Sequence, residues 1–117
     1  MPERKLQKKI RISTADSGKG GIGTLFRMWG KLWKDNHLLK DTVVENGQKD
    51  SRTHKVFQAL EEICYEFDLG KPIWLSSNVS EFQRHSKTRF RKDSFIEEIP
   101  FDYLEIQVIE EDDFYDL

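Results

Sequence analysis

The chain has 117 residues, enough for one domain with a modest core. Its 19 basic and 21 acidic residues leave a net charge of −2, so whole-chain charge gives no argument for nucleic acid. No apolar run approaches the roughly 20 residues of a membrane-spanning helix, and none of signal-peptide length comes after the basic N-terminus. The single cysteine, Cys64, cannot form an internal disulfide, which suits a reducing compartment. We therefore expect a cytoplasmic protein that does not enter the membrane.

The charge is unevenly spread. Arg4, Lys5, Lys8, Lys9 and Arg11 crowd the start, and Arg84, Lys87, Arg89, Arg91 and Lys92 form a second basic stretch. From Glu97 onward every charged residue is an acid. Residues 1–24 are basic, then rich in Ser and Gly, with too little apolar surface to offset the entropy of ordering them. They are expected to be a flexible extension, with a domain over residues 25–112 after it and an acidic tail at 113–117.

Within the extension, Gly18-Lys19-Gly20-Gly21-Ile22-Gly23-Thr24 resembles the deviant phosphate-binding loop of nitrogenase-iron-protein and septum-site ATPases. The resemblance fails at its chemistry. Thr24 stands where the phosphate-gripping lysine belongs, and Leu25 where the magnesium-binding hydroxyl belongs. The next residues read as a strand, not as a helix whose N-terminus could hold phosphate. A linker is the reading that remains.

From Leu25 to Asn46 the pattern predicts a β-hairpin. Phe26, Met28, Gly30 and Leu32 alternate with Arg27, Trp29, Lys31 and Trp33, and Asp35-Asn36 is a favourable turn pair. Trp29 and Trp33 share one face, as a half-covered pair or as an aromatic patch for a partner. The stretch Asp50–Gly70 predicts one amphipathic helix. Val56, Leu60, Ile63 and Phe67 form its apolar face with Phe57 and Cys64, while Lys55, Gln58, Glu61, Glu62 and Glu66 cover the remainder. Asp50 or Ser51 caps its start, and Gly70 and Pro72 end it.

Ile73-Trp74-Leu75 then reads as a short third strand. A short helix is expected through Val79–His85, capped by Asn78 or Ser80, with Phe82 inward. Residues 87–94 read as a basic loop. In the last strand Leu104, Ile106 and Val108 point one way and Glu105 and Gln107 the other.

The expected class is α+β, with order ββαβ(α)β. That order, with the element lengths from Phe26 to Glu111, resembles the β-grasp fold of ubiquitin-like proteins. The resemblance implies a mixed sheet with one main helix packed across it, and a last strand lying centrally and parallel to the first. A split β-α-β arrangement of ferredoxin-like type would need a second full helix between Ser77 and Lys92. A closer likeness runs from Lys31-Leu32-Trp33-Lys34-Asp35, through Arg52-Thr53-His54-Lys55 and Cys64-Tyr65-Glu66-Phe67-Asp68, to Phe101-Asp102-Tyr103-Leu104-Glu105-Ile106-Gln107. It resembles a group of short uncharacterised proteins of clostridial-type bacteria. That resemblance implies no activity and no catalytic residues. Its members begin near Met28, which implies that residues 1–27 are an extension from an upstream start codon.

Chemistry is sparse. His37, His54, His85 and Cys64 have no metal-ligand spacing, so neither metal nor cofactor is expected. His54 lies about 80° round the helix and roughly 15 Å along it from Cys64, too far to act as its base. The adjacent acid pairs read as solvated surface. No catalysis is expected. The remaining candidates are the basic stretch Arg84, Lys87, Arg89, Arg91 and Lys92 with Phe90, and the Trp29–Trp33 pair. The preferred reading is a non-catalytic protein-binding or adaptor module. The alternative is a nucleic-acid-binding accessory protein, with those cations on phosphates and Phe90 stacked on a base.

Overall fold

Residues 25–111 are described by a computed structural model, and they open with the expected hairpin. Strand β1 (Phe26–Lys34) pairs antiparallel with β2 (His37–Asn46). Asp35 and Asn36 both take left-handed backbone, with φ of 52° and 67°, which the twist of a two-residue hairpin turn requires. Asp and Asn tolerate that region better than most residues. One register shift comes after Leu32, because Leu32 faces Lys40 while Trp33 faces Leu38. Leu39 is the extra residue of that bulge.

Helix α1 (Arg52–Glu66) starts at Ser51, whose hydroxyl accepts the His54 N–H at 3.2 Å. Its end differs from expectation. Asp68, not Gly70, takes the left-handed turn (φ 61°). The Leu69 N–H reaches the Cys64 carbonyl at 2.8 Å, and the Asp68 N–H reaches that of Tyr65 at 3.2 Å. This pair of bonds closes the helix early because Leu69 folds back onto the core. The buried arc is also rotated from the expected one. Val56, Ala59, Leu60, Ile63, Cys64 and Phe67 are buried as their spacing demands. Phe57, however, is 51% exposed, and Lys55 is buried on the flank that carries Gln58 and Glu66 to β2.

No strand forms at Ile73–Leu75. The Ile73 N–H instead bonds the Ser94 carbonyl at 2.7 Å, and Trp74 turns inward to meet Phe82 and Phe90 edge to face at 5.5 and 5.0 Å. Helix α2 (Ser76–His85) comes next and buries Phe82 as expected, but starts three residues early. Asn78 is buried inside its first turn and reaches back to accept the Leu75 N–H at 3.0 Å. The amide of Asn78 donates to Thr88 Oγ1 and to the Arg89 carbonyl, each at 2.9 Å. Residues read as a basic loop are in fact a strand, β3 (Lys87–Phe90), and a 3-10 turn (Lys92–Ser94). Strand β4 (Tyr103–Glu111) ends the described chain.

The sheet order is β2-β1-β4-β3 and every pairing is antiparallel. The first and last strands are central neighbours, but the expected parallel pairing and mixed sheet are overturned. Helix α2, not a strand, carries the chain back after α1. Strand β3 then runs with β1, and β4 must run against it. Among the described residues the class is α+β, a four-stranded antiparallel sheet with two helices. The expectations for residues 1–24 and 113–117 lie outside the described residues.

The core lies between α1, α2 and one sheet face. Phe26, Met28, Leu32, Phe90, Leu104 and Ile106 meet Leu60, Ile63 and Phe82 there. Gly30 sets the closest approach. A Cβ built on it would stand 2.6 Å from Ile63 Cγ2 and 2.9 Å from Cδ1, so the Ile63 side chain occupies the space of a residue-30 side chain. Gly30→Ala is expected to destabilise the fold by about 1–3 kcal/mol in urea denaturation, the usual cost of overpacking. In an Ile63→Ala background that penalty should vanish. An unchanged midpoint for the single variant would contradict the contact.

Candidate interaction surface

The alternation that sends Phe26, Met28 and Leu32 inward sends Trp29, Lys31 and Trp33 to the opposite sheet face. The register then assembles rows across the strands. One row reads Asp41–Lys31–Glu105–Arg89, so its charges alternate in sign across all four strands. A second row is Val43–Trp29–Gln107–Lys87. Beyond the charged row on its other side, Trp33 faces Tyr103.

Glu105 is the hub. Its Oε1 lies 3.4 Å from Lys31 Nζ and accepts the Trp33 indole N–H at 3.0 Å. Its Oε2 accepts from Arg89 Nε at 3.3 Å. Lys31 also donates to Gln107 Oε1 at 3.2 Å and rests 3.9 Å from the Trp29 ring centroid. The Trp29 indole N–H donates to Asp41 Oδ2 at 2.8 Å. Arg89 and Arg91 lie over Tyr103, at 4.7 and 5.5 Å from its centroid. No described helix covers this face, yet Glu105 and Lys31 are only 4% and 8% exposed.

Burial pushes the Glu105 carboxyl up, but the Lys31 charge, the hydrogen bonds from Trp33 and Arg89, and the Arg89 charge outweigh it. The net result is a pKa below the ordinary value of 4.5. Burial likewise pushes the Cys64 thiol up, to about 12, with a smaller opposing effect from Lys71. Cys64 is therefore a protonated, buried apolar side chain, as expected, and not an activated nucleophile. Among the described residues no three His, Cys, Asp or Glu side chains come together as a metal-ligand group.

The predicted binding residues separate. Trp29 and Trp33 lie together on the open face, half-buried, with both indole N–H groups engaged. Arg89 joins them through Glu105. Arg91 is exposed over Tyr103, Lys87 is exposed on β3, and Arg84 and Lys92 are exposed in the elements on either side. Phe90 corrects the stacking expectation: it is fully buried on the inner face, paired with Leu104, and cannot meet a base. Residue alternation in β3 sends Thr88 and Phe90 inward and Lys87 and Arg89 outward. Lys31, Asp41, Tyr103, Glu105 and Gln107 belong to the surface although sequence reasoning did not assign them to it. The outward direction of Glu105 and Gln107 was readable, but only strand register places Lys31 and Arg89 beside them.

In the comparisons with known proteins, no family model, no curated protein and no solved structure is significantly similar to the chain.

Because the folded-state pKa of Glu105 lies below 4.5, its contribution to stability is complete above that pH and is lost as pH falls through the lower folded value. Glu105→Gln should therefore be less stable than wild type at neutral pH, and its stability should fall less steeply below pH 4.5 in acid denaturation. Glu105→Ala, which strips Lys31 of its carboxylate, should cost roughly 3–5 kcal/mol. A wild-type acid slope in Glu105→Gln would remove the carboxylate from this role.

Proposed function

We propose that the chain is a non-catalytic binding module for another protein, and that the partner meets the open sheet face along the β3 edge. The observation that carries this reading is a face of Trp29, Trp33, Tyr103, Arg89 and Arg91 that no described element covers. Trp, Tyr and Arg are the residues that dominate protein interfaces. The charged row in its middle is already neutralised, so a partner gains little from it except shape. The rim differs. Arg84, Lys87, Arg91 and Lys92 are exposed and make no ion pair among the described residues. The complementary partner is a protein presenting an acidic segment beside an apolar patch.

Nucleic acid fits this face less well. Stacking needs open ring faces, and here Lys31 lies on Trp29 while Arg89 and Arg91 lie on Tyr103. Phe90, the ring that reading relied on, is buried. Catalysis lacks support in the buried, protonated Cys64. No described helix is long and apolar enough to cross a membrane, and a cytoplasmic setting belongs to the same proposal.

A photo-crosslinking residue at position 87 of the full chain, in lysate of the source organism with and without nuclease treatment, tests the reading. A discrete protein adduct is expected, absent when the crosslinker sits at Ile73 and weakened by Arg91→Glu. An adduct at position 87 that nuclease abolishes would install the nucleic-acid alternative. A protein adduct from position 73 alone, or none from position 87, would overturn the proposed face.

A further inference from the structure

The open sheet face carries acids along one margin and cations along the other. Asp41 and Glu45 point outward from β2, Lys87 and Arg89 from β3, and Arg91 comes just after β3. Asp41 is exposed, accepts the Trp29 indole N–H, and makes no ion pair among the described residues. Beside these acids lie Val43, half-buried, and Leu38, 44% exposed. The β2 margin is thus itself an acidic segment beside an apolar patch, the chemistry that the β3 margin calls for in a partner.

The order of the charges sharpens this match. From Asp41 through Lys31 and Glu105 to Arg89 the row reads minus, plus, minus, plus. An alternating row of four has the opposite sign at every position when it is reversed. Two copies can be placed face to face, with a two-fold axis along the strands and between β1 and β4. Asp41 then stands over Arg89 of the second copy, and Lys31 over its Glu105. The same axis sets each outward β1 residue over a β4 row neighbour: Arg27 over Glu110, Trp29 over Gln107, Trp33 over Tyr103. Arg27 and Glu110 again differ in sign, and the two indoles meet an amide and a phenol ring. The charged row lies near the middle of β1, where the usual crossing of about 30° between aligned sheets displaces it least. Four strands at their normal spacing present roughly 500 Å² of face per copy, so the pair buries about 1,000 Å², the lower limit for a specific interface.

We propose that the open face is the interface of a two-fold symmetric homodimer, with β2 of each copy packed over β3 of the other. This dimer rests on the proposed use of the open face and gives that face its partner. Nucleic acid would meet Asp41, Glu45 and Glu110 there with like charge.

The test is sedimentation equilibrium of the full chain, with isotope-filtered NMR on an equal mixture of labelled and unlabelled chains. We expect twice the mass of one chain, and contacts between copies from the Val43 methyls to the Lys87 side chain. Within one copy those residues are three strand spacings apart, roughly 14 Å, too far to touch. Asp41→Arg should weaken association about a hundredfold, because each reversed charge counts twice in the dimer. Arg89→Asp alone should do the same. An equal mixture of the two variants should recover the wild-type mass, since each reversed site then meets the other. Should Arg89→Asp fail to fold, Asp41→Arg and the wild-type contact decide. A chain that is monomeric at every concentration would overturn the dimer, while the open-face reading would survive if position 87 still captured a different protein from lysate. A dimer that Asp41→Arg leaves intact, or that lacks the Val43–Lys87 contact, would put the interface on another surface and overturn the proposal.

Discussion

Gly30 and Ile63 share one space, and much of the molecule is arranged around that sharing. A side chain at position 30 would push α1 off the middle of β1. Without one, α1 comes down until Ile63 touches the sheet backbone. Val56, Leu60 and Phe67 are then buried along the same line. The helix is also rotated, so that Lys55 is buried and Phe57 swings toward α2. A groove between the helices is the other side of that rotation. Its aromatic floor is built from Trp74, whose ring touches Phe57, Phe82 and Phe90 at once.

The two sheet faces answer different physical demands. The inner face buries hydrocarbon against helices and gains from area alone. The outer face has no such cover among the described elements and instead neutralises itself. Glu105 ties β4 to β1 through Lys31 and Trp33, and to β3 through Arg89. β3 has four residues and lies at an edge, so this tie supplements a short ladder. A second tie comes from Asn78, which holds Thr88 and the Arg89 carbonyl from α2. With its central charges already paired, the outer face offers a partner mainly rings and rim cations. In the proposed role, such a surface would associate by shape, with the exposed cations guiding approach.

Some of this was written in local pattern. The hairpin came from strict alternation and a turn pair that accepts left-handed backbone. Helix α1 came from its apolar spacing and the Ser51 cap, and β4 from the alternation of Leu104, Ile106 and Val108. The cationic segment misled for a definite reason. Four strand residues with two outward cations have the composition of a loop, and only pairing with Gln107 through Leu104 makes them a strand. Ile73-Trp74-Leu75 misled in the opposite sense. Its β-like composition reflects a half-buried indole packed against the core, and its backbone bonds to Ser94, not to a ladder neighbour.

Local sequence set which segments are periodic, where two of them turn, and which residues of each strand share a face. Those properties depend on neighbours within a few positions. Long-range packing chose the remainder: that β4 runs against β1, that Lys31 and Arg89 converge on Glu105, that Phe90 is core, and that Phe57 faces a groove. Each depends on contacts between residues distant along the chain. Lys31 and Glu105, for example, become neighbours only when β1 and β4 pair. Their register is set by which apolar residues the helices bury, a choice made by the whole core at once.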